Sequence, residues 1–407
     1  MSVATRTVAA FAAGMLVLSA CTGTGSDGGA SPGITKDRIT VGNIASLTGP
    51  VPGVFQGAPY GVEAYFAYIN SQGGVHGRQL ELRSVDDALN CTQNRTATNS
   101  LASSTFALVG SFSVFDDCGA AVLTRHPDLP DVSYGFGPAL KKLPNHFSAL
   151  PAPPGWPLGT LTYLKQEYGA LRMGVLAGQG GQVQVLNAYL AAARSLGYTI
   201  AYQRQFGATE TTFTTDILRM RRAGVDFLDV TQANAATIAR ILVEAAQQGW
   251  RPKVINAAAA YDSKFLSLLG GNTAVAEGVL MPNQFAMMYG EDEATTPGVS
   301  TFLTALKKVR PSFAPDLFTV FGWVHAQLFV EALRAAGPNP TRRGLLDALR
   351  AIHEFDAGGL IAPSDPGASK PATCWMLAQV RGGRFVRVLP PDKGFVCEPG
   401  GYFNYTG

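Results

Sequence analysis

Two short stretches set hydroxyls, aromatic rings and glycines side by side: Ser111-Phe112-Ser113-Val114-Phe115 and Tyr134-Gly135-Phe136-Gly137-Pro138. Each follows a short apolar run, and the first precedes a helical pattern. At such a place Ser111 and Ser113, with free N–H groups, suit a carboxylate or another acceptor group. The same hydroxyls suit helix capping equally well. Tyr134 and Phe136 read as an aromatic wall with one phenol, as in pockets for small ligands. Packing in a core is the competing role, more so for Phe136. Their glycine neighbours let the backbone come close.

Catalytic arrangements are missing from the sequence. Gly178-Gln179-Gly180-Gly181 lacks the lysine and hydroxyl of a nucleotide loop and the glycine spacing of a dinucleotide site, so it reads as a turn. No G-x-S-x-G elbow occurs. Asp86-Asp87 and Asp116-Asp117 are adjacent acids, which lie on a loop or straddle the two faces of a strand. They read as solvated loop acids or caps, and Asp117, just before a helix, suits capping. His325 sits in an apolar helix and reads as a buried histidine. The five histidines do not cluster and no C-x-x-C occurs, which disfavours a metal site. The residues therefore point to binding, with no enzyme activity, cofactor or metal.

The elements that must position these side chains begin at Ile39 to Asp87. A β-branched run, Ile39 to Ile44, leads into a glycine- and proline-rich loop holding Phe55 and Gln56. A helix follows, with Val62, Tyr65, Phe66 and Ile69 at three- and four-residue steps. It stops at Gly73-Gly74, and an alternating strand runs from Arg78 to Val85. Strand, helix, strand implies a parallel sheet with a right-handed crossover. Ligands of such sheets sit at the carboxyl ends of strands. Beyond it, strands and helices keep alternating, through Ala107–Gly110 and Val132–Tyr134, up to Leu150–Pro157. The prolines there exclude a helix or an inner strand, so this is the first crossing to a second lobe, with Trp156 at its rim. A second α/β series follows, in which Gln179, Gln182, Gln232, Asn234 and Tyr261 each come after a strand. The apolar helix Val320–Ala336, with Phe318, Phe321 and Trp323, reads as buried. Gly382-Gly383 joins Trp375–Val380 to Arg384–Leu389 as a hairpin.

At 407 residues the chain exceeds what one core usually serves, which calls for two lobes. A net charge of +3, without basic runs interleaved with aromatics, gives no pull toward nucleic acid. Near the N-terminus, Arg6 and the apolar run Val8–Leu18 form an export signal too short to span a bilayer. Leu18-Ser19-Ala20-Cys21 resembles the lipobox of bacterial lipoproteins, whose cysteine thiol accepts a diacylglycerol. Residues 21–33 then form a flexible tether. The four remaining cysteines allow three pairings. The expected bonds are Cys91 with Cys118 and Cys374 with Cys397, each stabilising by about 3 kcal/mol.

Leu47-Thr48-Gly49, Ile69-Asn70, Gly73-Gly74-Val75, Gly77 and Asp86-Asp87, in this order, resemble the opening of the type I periplasmic binding proteins. The branch is the leucine/isoleucine/valine-type receptors of ATP-driven importers. The resemblance implies two doubly wound α/β lobes joined by a multi-strand hinge. Residues 1–20 are then the signal peptide, 34–150 with 285–352 one lobe, and 151–284 with 353–407 the other, carrying the hairpin. It implies a small organic ligand, such as an amino acid or amide, delivered to a membrane permease by an extracytoplasmic lipoprotein. A ligand-sensing lipoprotein with a separate signalling partner is the alternative. The family's aromatic-glycine pair after the second lobe's first strand is missing, and Asn256-Ala257-Ala258-Ala259-Ala260 offers no carboxylate for an ammonium. Asp229 and Asp262 remain as counter-ions, and a neutral or acidic ligand fits better.

Overall fold

Strand β1 (Arg38–Ala45) is an inner strand of the first sheet, and its apolar residues are buried on both faces. The computed structural model describes residues 31–49, 53, 55–169, 171–179, 183–207, 209–397 and 401–406. The signal peptide, Cys21 and Gln182 lie outside the described residues, as does most of the tether. Helix α1 (Gly57–Ser71) buries Val62, Tyr65, Phe66 and Ile69 as their spacing requires. It stops where Gly73 and Gly74 take positive φ and the Gly74 N–H returns to the Ile69 carbonyl at 3.1 Å. Strand β2 (Gln79–Asp86) pairs in parallel with β1 along its whole length. The chain continues through α2 (Cys91–Ser104), β3 (Leu108–Val109), α3 (Asp117–Arg125), β4 (Asp131–Val132) and β5 (His146–Phe147). The first sheet has the order β2-β1-β3-β4-β5 and is parallel throughout. A disulfide between Cys91 and Cys118 joins the start of α2 to the start of α3.

The second sheet arises from β7 (Arg172–Gly178), β8 (Thr199–Phe206), β9 (Phe227–Thr231), β10 (Val254–Asn256) and β11 (Leu280–Asn283). Before it come β6 (Gly155–Pro157) and α4 (Gly159–Tyr168). Helices α5 (Val183–Ser195), α6 (Thr214–Arg222) and α7 (Ala235–Gln247) make its crossovers. After α8 (Pro297–Val309), α9 (Leu317–Ala335) and α10 (Arg342–Arg350), the hairpin β12 (Met376–Arg381) and β13 (Arg384–Leu389) joins β11 antiparallel. The order is β13-β12-β11-β10-β9-β7-β8. The Cys374–Cys397 disulfide brackets the hairpin. Strand β14 (Tyr402–Asn404) pairs with β6, so the proline-rich crossing does hold a strand, in a two-stranded ladder outside both large sheets.

Two α/β lobes result, and the chain passes between them three times, near residues 148–154, 284–296 and 351–375. The crossings are bonded to one another. Ala362 N–H donates to the Gln284 carbonyl at 2.7 Å, and the Ser364 hydroxyl donates to the Ala149 carbonyl at 2.7 Å.

Helices α8, α9 and α10 pack on the first sheet's side, although they follow the second sheet in sequence. Helix α9 lies against α1 at backbone distance: a Cβ on Gly322 would collide with the Ala58 carbonyl, and one on Gly61 with the Thr319 carbonyl. Around this contact Trp323 meets the rings of Tyr65 at 4.8 Å and Phe302 at 5.4 Å. Buried Arg342 fastens α10 by donating to the carbonyls of Ala102, Thr105 and Phe106.

The carboxyl of Asp229 is buried inside the second lobe. Asp229 of β9 accepts from the Tyr189 hydroxyl and from Asn256 Nδ2, both at 2.6 Å. Tyr189 also carries the ring of Trp156, 4.8 Å away, which links hinge strand β6 to the sheet. Burial pushes the Asp229 carboxyl up to about 6 from an ordinary 3.8, against the bonds from Asn256 and Tyr189.

Replacing Gly322 by Ala should therefore lower stability by roughly 1–3 kcal/mol through overpacking, read from the denaturant midpoint. An unchanged midpoint would mean that the helices separate freely. Between about pH 4 and 6, native Asp229 holds a proton that the unfolded chain has released. Its burden on stability is full at pH 7 and shrinks toward pH 5. The melting temperature of the wild type relative to Asp229→Asn should accordingly rise by about 2 °C or more from pH 7 to pH 5. A constant difference would refute the assignment.

Candidate functional site

The loops after β1, β3 and β4 meet at one edge of the first sheet, where parallel α/β sheets hold their ligands. They bring a cluster of aromatic rings together around Phe112, which is almost fully buried. Phe55 lies 5.1 Å from it and Phe136 4.9 Å. Tyr134 and Phe321 stack on opposite partners of the group: Phe112 to Phe321 is 5.6 Å, Phe112 to Tyr134 5.6 Å, and Tyr134 to Phe321 4.6 Å. Phe318 completes the cluster, 4.9 Å from both Phe112 and Phe55. Phe318 and Phe321 come from the first turns of α9, so the glycine contact between helices also sets this platform.

Tyr134 is held by rings, while its hydroxyl makes no hydrogen bond to any described residue. Burial pushes that phenol up to about 12, with the Asp116 charge adding to the effect. Tyr134 in turn adds to the upward push that burial exerts on Tyr402 of β14.

Around the rings, the polar groups are bonded to the protein's own carboxylates. Asp86 accepts from the N–H groups of Leu47 and Ala88, each at 2.8 Å, and from the Thr48 hydroxyl. Burial pushes its carboxyl up, but these bonds outweigh burial and hold it below the ordinary range. Asp87 is fully buried, contrary to a solvated loop role. It accepts from the Ser46 hydroxyl at 2.6 Å, from Asn94 Nδ2 at 2.9 Å and from the Ser113 hydroxyl. Asp116 receives the N–H of Phe136 at 2.6 Å and of Gly137 at 2.9 Å. Burial raises it to about 6 against those two bonds. Asp117 makes no capping bond to its own helix; it accepts from the N–H groups of Ala139 and Leu140, because the β4 loop folds back over the start of α3. Asp316 caps α9 through the Thr319 N–H at 2.8 Å and stands so close to Gly57 that a Cβ there would strike it. Burial raises Asp316 to about 6, against bonds from Thr319, and Asp262 of the second lobe adds to the rise.

The other candidate residues divide between this edge and structural work. Ser111 Oγ accepts from the Ile44 N–H at 3.1 Å, and Ser113 also accepts from Phe115 N–H at 3.0 Å. Both, with Tyr134, line a small pocket of about 30 Å³, sized for a water molecule or two and not for a metabolite. Gln56 precedes α1 without a capping bond from its side chain. In the second lobe Gln179 is exposed after β7. Gln232 follows β9 at φ 51°, and a Cβ on Gly178 would collide with its carbonyl. Asn234 caps α7 by accepting from Thr237 N–H at 2.9 Å. Tyr261 is buried; its hydroxyl donates to Glu291 at 3.1 Å and accepts from Met288 N–H at 2.7 Å, and its ring packs on Tyr289 and Phe385. Trp156 sits on Tyr189, away from the ring cluster. The sequence reading names Phe112, Phe318, Phe321 and Asp116 but gives none of them a ligand role: Phe318 and Phe321 read as buried helix residues and Asp116 as a loop acid or cap. Two signals pointed to them: an aromatic between two serines after a strand, and rings three apart at the start of an apolar helix.

A periplasmic binding protein family model matches residues 38–384. The fold is shared with several solved structures. A fatty acid ABC transporter substrate-binding protein from Thermomonospora curvata is 19% identical, with a TM-score of 0.71, over 91% of this chain and 95% of that one. A leucine binding protein, LivK, from Thermotoga maritima is 16% identical, with a TM-score of 0.70, over 90% and 99%. An ABC transporter solute binding protein from R. palustris in complex with 4-hydroxybenzoate is 15% identical, with a TM-score of 0.71, over 89% and 98%. A 96-residue stretch is 33% identical to Mediator of RNA polymerase II transcription subunit 21 of Neosartorya fischeri. This chain spans only 44% of that curated relative, and the match takes in 22% of this chain. With the family model covering most of its length and both lobes in place, the chain belongs to the type I periplasmic binding proteins, the receptor family of ABC importers.

Proposed function

We propose that this protein is an extracytoplasmic receptor that closes its two lobes on a small organic ligand and delivers it, chemically unaltered, to the permease of an ABC importer. The ring platform of Phe112, Tyr134 and Phe321 at the strand ends carries this reading. It supplies an apolar surface with one phenol free to bond a guest. Phe55 and Phe136 border the platform, and Gln56, Gln179 and Gln232 are assigned to the ligand as polar residues that follow β1, β7 and β9 in sequence. Ser111, Ser113, Trp156, Asn234 and Tyr261 act behind these, holding the loops and the hinge. Gln182 is assigned with Gln179, three positions before it in sequence.

Residues 34–150 with 285–352 form one lobe of the clamp, and 151–284 with 353–407 the other. The bonded crossings between them allow hinge bending. The export signal and Cys21 put the receptor on the outer face of the cell membrane, held by its acyl chains, with residues 21–33 as tether. The named relatives bind leucine, a fatty acid or 4-hydroxybenzoate, so a small metabolite with an apolar part is the ligand class.

A thermal-shift screen of amino acids, amides, aromatic acids, alcohols and sugars identifies a binder, since a ligand of the folded state raises the midpoint. Tyr134→Ala should weaken that binder at least tenfold in calorimetry, with the melting profile intact and the ligand recovered unchanged. Wild-type affinity in this variant would rule out the platform as the site.

A further inference from the structure

The second sheet has an edge at which its parallel strands begin, opposite the strand ends where such sheets hold ligands. This end of the lobe is built from the last turns of α4, α5, α6 and α7, the loops leading from them into β7, β8, β9 and β10, the segment before β11, and the turn of the β12–β13 hairpin. Residues 165–172, 194–199, 219–226, 244–253, 273–279 and 381–384 hold ten lysines and arginines against four acids, a net charge of +6. The whole chain carries only +3, so the remainder is net negative. All ten cations are exposed, and among the described residues none of them forms an ion pair.

Helix C-termini attract cations, which accounts for part of this charge. Lys253 donates to the Tyr168 carbonyl at 2.6 Å and Arg221 to the Gln248 carbonyl at 3.0 Å. Four helix ends amount to about −2 charges in all, well short of the excess. Arg381 and Arg384 flank a hairpin turn, where no helix ends. Arg194, Arg222 and Arg384 make no side-chain bond to any described residue. The cations spread over six neighbouring strands, from β12 to β8, about 24 Å at the usual strand spacing. That breadth suits a plane of many mobile phosphates better than one acidic side chain. Leu218 is 41% exposed and shares a face of α6 with Arg221 and Arg222, three and four positions on. An apolar side chain among cations is the combination that a lipid headgroup layer accepts.

We infer that this basic end of the second lobe binds the anionic phospholipid headgroups of the membrane on which the receptor sits. The inference rests on the membrane location in the reading above and not on the ligand. A tethered protein meets the bilayer at high effective concentration, so charge attraction is enough to set which side of it faces the lipid.

Co-sedimentation of residues 22–407, which carry the described fold and no acyl chain, tests this. Vesicles of equal parts phosphatidylglycerol and phosphatidylcholine should bind the protein at least tenfold more tightly than phosphatidylcholine alone, and added salt should release it. Arg194→Glu, Arg222→Glu and Arg384→Glu together should weaken binding at least tenfold with the melting profile unchanged. Should that variant melt early, Arg384→Glu alone takes its place, with at least a threefold loss. Lys307→Glu, Lys308→Glu and Arg343→Glu reverse three exposed cations of the first lobe and should change binding less than threefold. Equal binding to both vesicles or to neither, binding that survives salt, or equal losses in the two triple variants overturns the inference. Tighter capture of polyaspartate than of the anionic vesicles would assign this end to an acidic protein and overturn it too. The ligand screen proceeds alike in all these cases, so the receptor reading stands or falls separately.

Discussion

The backbone contact between α1 and α9 is the constraint on which the first lobe depends. Gly61 and Gly322 are 261 positions apart, yet no side chain fits between the helices they belong to. Helix α9 brings Phe318 and Phe321 to the ring cluster and Asp316 to the start of α1. Setting the helices apart by the width of a methyl group would pull two rings from the platform. The contact joins residues from both ends of the chain, so the candidate site is complete only when nearly the whole protein has been made.

The same geometry decides the electrostatics. Helix starts and the loops after parallel strands present N–H groups that attract anions. Here the protein supplies the anions itself. Among the described residues, Asp86, Asp87, Asp116, Asp117 and Asp316 each accept N–H or hydroxyl donors of these loops and helix starts. Such buried carboxylates tolerate their position because each accepts hydrogen bonds, although burial still lifts Asp116 and Asp316 to about 6.

Much of this fold was legible in the sequence because periodicity reports burial directly. The β1–α1–β2 unit, the apolar α9 and the C-terminal hairpin all announced themselves through spacing and glycine stops. Strands of two or three residues, such as β5 and β14, have no period to detect and depend on partners far away in sequence. The site was legible by residue type and not by role. Ser111 and Ser113 have the hydroxyls an acceptor ligand needs, but Ile44 and Asp87, brought in by the fold, already engage them. Asp87 looked solvated because adjacency in sequence says nothing about which loops close over it. Phe112 reads in sequence only as one ring of a short loop, since a loop position carries no signal of what it packs against.

A crystal structure of the protein with its tightest-binding ligand from solution screening tests the central claim most directly. The account predicts ligand density between the lobes, its apolar body lying on the Phe112, Tyr134 and Phe321 rings, with Asp116 still bonded to Phe136 and Gly137. Density elsewhere on the molecule, or a ligand anion that has displaced Asp116 from those N–H groups, would contradict it.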